Sequence, residues 1–405
     1  MSIDTSEFDA MWSAIGRIGR DKSSGGYHRF AWTREDHDLR EWFAGECAKR
    51  GLDLTTDRMG NQWAWWGDPD AALVAGRPGV VIGSHLDSVP DGGAFDGPLG
   101  VVSSLAVIDL LRAEDFQPSR PIGVVNFVDE EGARFGIACA GSRVITGVLD
   151  ADRARSLTDV DGVTMAEALR AAGRDPEQLG PDEETARRIG AFVELHVEQG
   201  RGLVDLGQPV AIATDIWPHG RWRFDFPGQA NHAGTTRLAD RQDAMLGYAD
   251  TVLAARSVAE QRGCVATVGK VHVEPGGVNA IPSHVTGWLD ARGPVEDEVR
   301  RTIDDLTTRA QQHGATVREE SWTPTTRFDE ELAGRLTGVL GDDVPLLGTG
   351  AGHDAGILAT HGVPTAMLFV RNPTGISHSP EEFAERDDCH AGVEALAKVV
   401  EDLAR

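Results

Sequence analysis

The run "VVIGSHLDSVPDGGAFDGPLGVVSSLAVIDLLRAE", residues 80–114, decides how the chain is read. Its start, Val80-Val81-Ile82, is a short apolar run of the kind that fills a buried strand, and "GVVSSLAVIDLLRAE" has the length and spacing of an apolar helix. Between them, residues 83–101 place a histidine and three acids, Asp87, Asp91 and Asp96, among glycines and prolines. Charge just beyond the C-terminal end of a strand in an open α/β sheet stands where such sheets bind ligands.

The same arrangement recurs along the chain. "PIGVVNFVDEE" is strand-like and ends in Glu130-Glu131, and "GAFVELHVEQG" is a further buried strand that ends in polar groups and carries His196. Helical spacing covers residues 5 to 20 and 35 to 50, the second stopped by Gly51, and "NQWAWWG" is strand-like. Residues 150–188 carry two short helical patterns and are expected outside the sheet. Strands alternating with helices in this way predict an α/β fold with a parallel or mixed sheet.

From about Gln208 the texture changes. "PVAIATDIWPHGRWRFDFPG", "CVATVGKVHVEPGG", "HVTGWLDARG" and "TVREESWT" read as antiparallel strands. "RLADRQDAMLGYADTVLAAR" and "VEDEVRRTIDDLTTRAQQHG" read as two helices. That is a self-contained α+β unit, a four-stranded antiparallel sheet plus two helices. The expected organisation is therefore a discontinuous mixed-sheet domain, 1–208 and 325–405, with an inserted domain at 209–324.

Composition supports two domains and narrows the partners. A chain of 405 residues exceeds one typical core. Its net charge of −25 argues against nucleic acid, whose phosphates need a positive surface. The longest apolar runs are strand-sized, so no membrane association is expected. The N-terminal stretch is acidic and amphipathic, without a signal peptide's basic start and apolar middle, which points to the cytoplasm. Cys47, Cys139, Cys264 and Cys389 are far apart and form no C-x-x-C pair, which fits reduced thiols and excludes a cysteine-built zinc site.

His85, Asp96, Glu130-Glu131, His196 and His378 each lie beyond an apolar strand or in a Gly- or Pro-rich turn. Two metal ions about 3.5–4 Å apart would need neutral imidazoles and carboxylates, with a carboxylate between them to offset their repulsion. A further carboxylate, off the metals, would take a proton from water. These six side chains meet that requirement with none left over. Asp87, on the same strand face as His85, either accepts the imidazole's other N–H or serves as a turn aspartate.

"GSHLDSVPDGGAFDGPLGV", "VDEEGARFG", "ELHVEQG", "GQANHAGTT", "KVHVEPGGVNAIP", "GAGHDA" and "GISHSPEE" together resemble the N-carbamoyl-amino-acid amidohydrolases. That group includes L-carbamoylases, β-ureidopropionase and allantoate amidohydrolase, within the dinuclear-metal superfamily of aminoacylases and glutamate carboxypeptidases. The motifs keep family order from "GGYHRFAWT" to "SHSPEE". The resemblance implies that Asp96 bridges two divalent ions (zinc, or manganese, cobalt or nickel), with His85 and His196 on one and Glu131 and His378 on the other. It implies that Glu130 is general base and proton shuttle. His196 stands where the superfamily's peptidases carry a carboxylate, which favours the ureido-amide branch.

For the substrate, the resemblance implies that His232 stabilises the charge developing on the reacting carbonyl, from across a homodimer interface built by the inserted dimerisation and lid domain. It implies that Asn279, Arg292 and the main chain of Gly352 hold a carboxylate, and that Gln199 contacts the amide end. His353 and Asp354 receive no role. Pro218-His219-Gly220, "NQWAWWGD", "RNPTGISHS" and "DARGPVEDE" depart from the family pattern and leave the side-chain pocket open. The expected function is hydrolysis of N-carbamoyl-L-amino acids to amino acid, carbon dioxide and ammonia. Allantoate is the alternative; an N-acyl amino acid or dipeptide is less favoured, and a non-catalytic dimeric binding protein is the remote case.

Overall fold

In the computed structural model, which describes residues 5–405, the apolar runs become strands of one large mixed sheet. In chain order the strands are β1 (Asp53–Thr56), β2 (Gln62–Trp66), β3 (Gly79–His85), β4 (Ile122–Phe127), β5 (Ile189–Val197) and β6 (Val210–Ile216). There follow β7 (His219–Pro227), β8 (Asn231–His232), β9 (Val265–Glu274), β10 (Ala280–Ile281), β11 (His284–Arg292) and β12 (Thr316–Thr323). Last come β13 (Thr326–Arg327), β14 (Leu346–Thr349) and β15 (Thr365–Val370). Contacts divide the chain into a larger unit, reaching Thr214 and resuming at Arg327–Leu347 and Gly352–Arg405, and a smaller unit, Asp215–Thr326 with Gly348–Ala351.

The large sheet runs β1-β2-β4-β3-β5-β15-β6-β13, with β14 also on β6. Its centre is parallel: β4 with β3, β3 with β5, and β5 with β15. Its flanks turn antiparallel, at β1 and β2 against β4 on one side and β6 against β15 on the other. Every residue of β3, β4 and β15 is buried. Parallel strands covered on both faces need no polar side, which is why these segments read as unbroken apolar runs. The helix Pro98–Ala113 is buried too, with only Asp109, Arg112 and Ala113 escaping, and it packs on β3 and β5 and against the helix Arg386–Ala404. A helix apolar on all sides belongs in such a place.

One buried carboxylate fixes the sheet's edge to the chain that leaves β4. Asp57 accepts hydrogen bonds from the backbone N–H of Met59, Gly60 and Asn61 at 2.8–3.0 Å, from Asn61 Nδ2 at 2.7 Å and from Trp63 Nε1 at 2.9 Å. Asn61 Oδ1 in turn accepts the N–H of Val128 at 2.9 Å, one residue before Asp129-Glu130-Glu131. In Asp57→Asn a new amide would face the Asn61 and Trp63 donors, leaving buried donors unmatched. Chemical denaturation should show a loss of about 2–4 kcal/mol, and an unchanged midpoint would remove the carboxylate from this role.

In the smaller unit β12, β7, β11 and β9 form an antiparallel sheet, with a separate two-stranded pair, β8 and β10. Along β7, Trp222, Phe224 and Phe226 are buried at period two and join a core with residues of the helices Ala244–Gln261 and Glu296–Gln312.

Three expectations change. The first strand assigned to the inserted domain, β6, pairs with β15 in the large sheet, Ile212 opposite Leu368; an alternating run does not reveal which sheet it joins. The division accordingly falls at Asp215 rather than at residue 209. The first helix ends at Ile15, short of Gly16 and the left-handed Gly19, and residues 150–188 hold three short helices and a 3₁₀ turn. The four cysteines are buried free thiols, and among the described residues no helix is long and apolar enough to cross a membrane.

Candidate metal centre

Four neighbouring parallel strands deliver their C-terminal ends to one place. His85 is the last residue of β3, Asp129-Glu130-Glu131 follow β4, His196 is the penultimate residue of β5, and β15 leads into the loop bearing His378. Asp96 precedes the helix Pro98–Ala113, brought in by the Gly- and Pro-rich turn that follows β3. The turn needs glycine at position 97, where φ is +83° and a Cβ would lie 2.4–2.5 Å from the His85 ring.

The ligand-type atoms of His85, Asp96 and His196 lie within 4.8 Å of one another, and so do those of Asp96, Glu131 and His378. Asp96 is common to both groups. Its Oδ1 is 3.2 Å from His196 Nε2 and 3.7 Å from His85 Nε2, and its Oδ2 is 3.4 Å from His378 Nε2. His378 Nε2 is also 3.5 Å from Glu131 Oε2. His85 Nε2 and His196 Nε2 are buried and make no hydrogen bond among the described residues. Buried nitrogens without partners are costly unless something else satisfies them. Two such nitrogens facing one carboxylate oxygen fit a cation between them, and the imidazole and carboxylate donors suit zinc, manganese, cobalt or nickel.

Glu194, His196 and His353 form a further buried group of the same kind. His196 Nδ1 donates to the Val197 carbonyl at 2.8 Å, so its single remaining lone pair, on Nε2, serves either this group or the one with His85 and Asp96. Glu194 is already engaged, accepting from Ser84 Oγ at 2.7 Å and the Ala355 N–H at 3.2 Å.

Glu130 is buried beside the centre without belonging to either group that shares Asp96. Its Oε1 accepts from Cys139 Sγ at 3.3 Å and its Oε2 lies 3.6 Å from His85 Nε2. Burial, reinforced by the charge of Glu131 against the opposing pull of His85, raises Glu130 well above the ordinary carboxylate range. Burial and Asp96 raise Glu131 to about 7. Burial also pushes Asp96 up, but the imidazoles of His196 and His378 outweigh it and hold that carboxyl well below the usual range.

Asp87 does more than expected. His85 Nδ1 donates to the main-chain oxygen of Asp87 at 3.2 Å, with the carboxylate 3.4 Å away. That carboxylate accepts the backbone N–H groups of Glu130 and Glu131 at 3.2 and 3.0 Å, tying the exit of β3 to the exit of β4. Sequence reading had no means of finding these main-chain partners. Gln199, expected at the substrate, donates to Asp96 Oδ2 at 2.8 Å and lies 3.2 Å from Ser377 Oγ.

The comparisons with known proteins give the family of the chain. The profile of peptidase family M20/M25/M40 matches residues 81–402. The chain belongs to peptidase family M20/M25/M40. It is 36% identical over 403 residues to the N-carbamoyl-L-amino acid amidohydrolase of Geobacillus stearothermophilus, covering 96% of each chain. It is 30% identical to the allantoate amidohydrolase of Escherichia coli, again covering 96% of each. Among solved structures, an amidase of the hydantoinase/carbamoylase family from Burkholderia multivorans superposes with a TM-score of 0.86 at 30% identity, over 100% of this chain and 98% of that one. The resemblance read from the motifs is thus borne out, and this M20/M25/M40 chain is a hydrolase of amide-type C–N bonds.

The remaining residues expected to serve the substrate of this M20/M25/M40 hydrolase are held as follows. In the smaller unit His232 is exposed, and its Nδ1 accepts the Gly234 N–H at 3.0 Å, so the neutral ring carries its proton on Nε2. Asn279 is exposed, and its carbonyl accepts from Ala233 N–H across the β8–β10 pair. Arg292 is forked onto Asp290 at 2.6 and 3.0 Å and also donates to the Gly350 carbonyl at 2.7 Å. Two of its five donors stay free of these contacts. His219 stands opposite Arg292 in the β7–β11 register, its Nδ1 donating to the Trp217 carbonyl at 3.0 Å. In the larger unit Gly352 is exposed, whereas His353 and Asp354 are buried. Asp354 accepts from Ser142 Oγ, and burial together with the nearby Glu194 raises it to about 8.

Proposed function

We propose that the chain hydrolyses the carbamoyl C–N bond of an N-carbamoyl-L-amino acid or a related ureido acid, releasing amino acid, carbon dioxide and ammonia. The observation that carries this reading is Asp96 shared by two ligand groups, with Glu130 beside both and committed to neither. Divalent ions held by His85, His196 and Asp96 and by Asp96, Glu131 and His378 would polarise the carbonyl and make water more acidic.

The chain's own groups supply the rest. Glu130 takes the proton of the attacking water and returns it to the leaving nitrogen, a role that its buried carboxylate beside the two groups can serve. His232 donates its Nε2–H to the carbonyl oxygen as negative charge gathers there. Arg292 and Asn279, with the Gly352 N–H, hold the substrate carboxylate, and the free guanidinium donors match that anion. Gln199 orients the ureido end. The smaller unit is the dimerisation and lid domain, and the working form is a cytoplasmic homodimer.

The test is a substrate panel on zinc- and manganese-loaded protein, with ammonia release and product amines measured. N-carbamoyl L-amino acids should be turned over fastest, with N-acetyl amino acids and dipeptides slower by at least about tenfold in kcat/KM. Turnover confined to dipeptides would overturn the reading. A second reading, allantoate as substrate, is favoured by the Escherichia coli relative and would appear as the highest kcat/KM on allantoate.

A further inference from the structure

Two neighbouring glutamates end the "SHSPEE" motif and meet opposite fates: Glu381 is exposed, whereas Glu382 is 4% exposed. Glu382 reaches from the loop carrying His378 to the loop carrying Asp96. Its Oε1 accepts the backbone N–H groups of Phe95 at 2.8 Å and Asp96 at 2.9 Å, and its Oε2 lies 3.1 Å from Ser377 Oγ. Ser377 Oγ is also 3.1 Å from Asp96 Oδ2. The carboxyl group therefore touches Asp96 twice, directly through its main chain and through Ser377 to its side chain.

The surroundings are shaped to keep it there. A Cβ at Gly93 would come within 2.4–2.5 Å of Glu382 Oε1, Cβ and Cδ, so the backbone passes at a distance only glycine permits. Phe95 and Phe383 meet edge to face with centroids 6.0 Å apart, a second tie between the same two loops. Asp96 itself has one oxygen toward His85 and His196 and the other toward His378, so a small rotation of its backbone would move it off one group or the other.

We propose that Glu382 is a positioning residue that locks Asp96 in the orientation shared by both ligand groups and so sets the spacing of the two ions. The proposal rests on the dinuclear reading above, and it adds a residue that neither binds an ion nor touches substrate. Glutamine can replace it: the amide oxygen accepts both backbone N–H groups and the amide N–H donates to Ser377 Oγ. Alanine cannot.

The experiment compares Glu382→Gln, Glu382→Ala and Gly93→Ala with the wild-type chain in two measurements. The first is hydrogen exchange at the Phe95 and Asp96 amides; the second is zinc binding titrated against a chromophoric chelator. In Glu382→Ala, exchange at both amides should speed up at least about tenfold, and the weaker zinc ion should bind about 10- to 100-fold less tightly. Glu382→Gln should stay within about threefold of wild type in both. Gly93→Ala, which keeps the carboxylate but displaces it, should move both readings in the alanine direction and serves if Glu382→Ala does not fold. Wild-type exchange and zinc affinity in a folded Glu382→Ala would overturn the proposal. Uptake of fewer than two ions by the wild-type chain would instead defeat the dinuclear reading, while amide exchange would still decide whether Glu382 holds Asp96.

Discussion

Replacing Glu130 by glutamine is expected to lower kcat by at least about 10³-fold while both metal ions stay bound. The substitution keeps the size of the side chain and leaves Cys139 Sγ a neighbour, since an amide can still occupy the space between Cys139 and His85. What it removes is the ability to accept a proton from water and hand it on. Neither ligand group that contains Asp96 includes Glu130, so metal content measured on the purified variant should match wild type. Substantial residual turnover would take Glu130 out of the base role. Loss of metal along with activity would make it a ligand instead.

Replacing Asp96 by alanine should be the more destructive change to the centre. It is the one residue in both groups, and without it each retains two donors of its three. Metal uptake should fall below one ion per chain and hydrolysis should become undetectable. Stability reports the same loss independently of activity. An ion present at a hundred times its Kd stabilises a folded protein by about 2.7 kcal/mol, so zinc should raise the wild-type unfolding temperature by several degrees and leave that of the variant almost unchanged. A variant that still binds two ions would refute the shared-carboxylate arrangement.

Much of this was legible in the sequence because the fold puts chemistry where apolar runs stop. His85, Glu130, Glu131 and His196 follow or end buried strands, and such strands announce themselves by short apolar runs such as Val80-Val81-Ile82 and Val124-Val125. The smaller unit was legible for the opposite reason, since Trp222, Phe224 and Phe226 alternate with charged, less buried positions as a one-sided sheet requires. The strand β6 was misplaced because its pattern is equally good in either sheet and only its pairing with β15 decides.

The supporting residues were harder to see. Asp87 and Asp57 act on main-chain N–H groups, which carry no signature in the sequence of their partners. Glu382 is indistinguishable by composition from its solvated neighbour Glu381. Arg292 was read as a carboxylate receptor from its resemblance, and its fork onto Asp290 two residues earlier, on the same face of β11, is plain only in three dimensions.

The stitch made by Asp87 couples two acids of the centre. Its carboxylate accepts the main-chain N–H groups of both glutamates, so a single side chain fixes where both acids leave the backbone. A change at that one position would therefore displace both acids together, although neither is its neighbour along the chain.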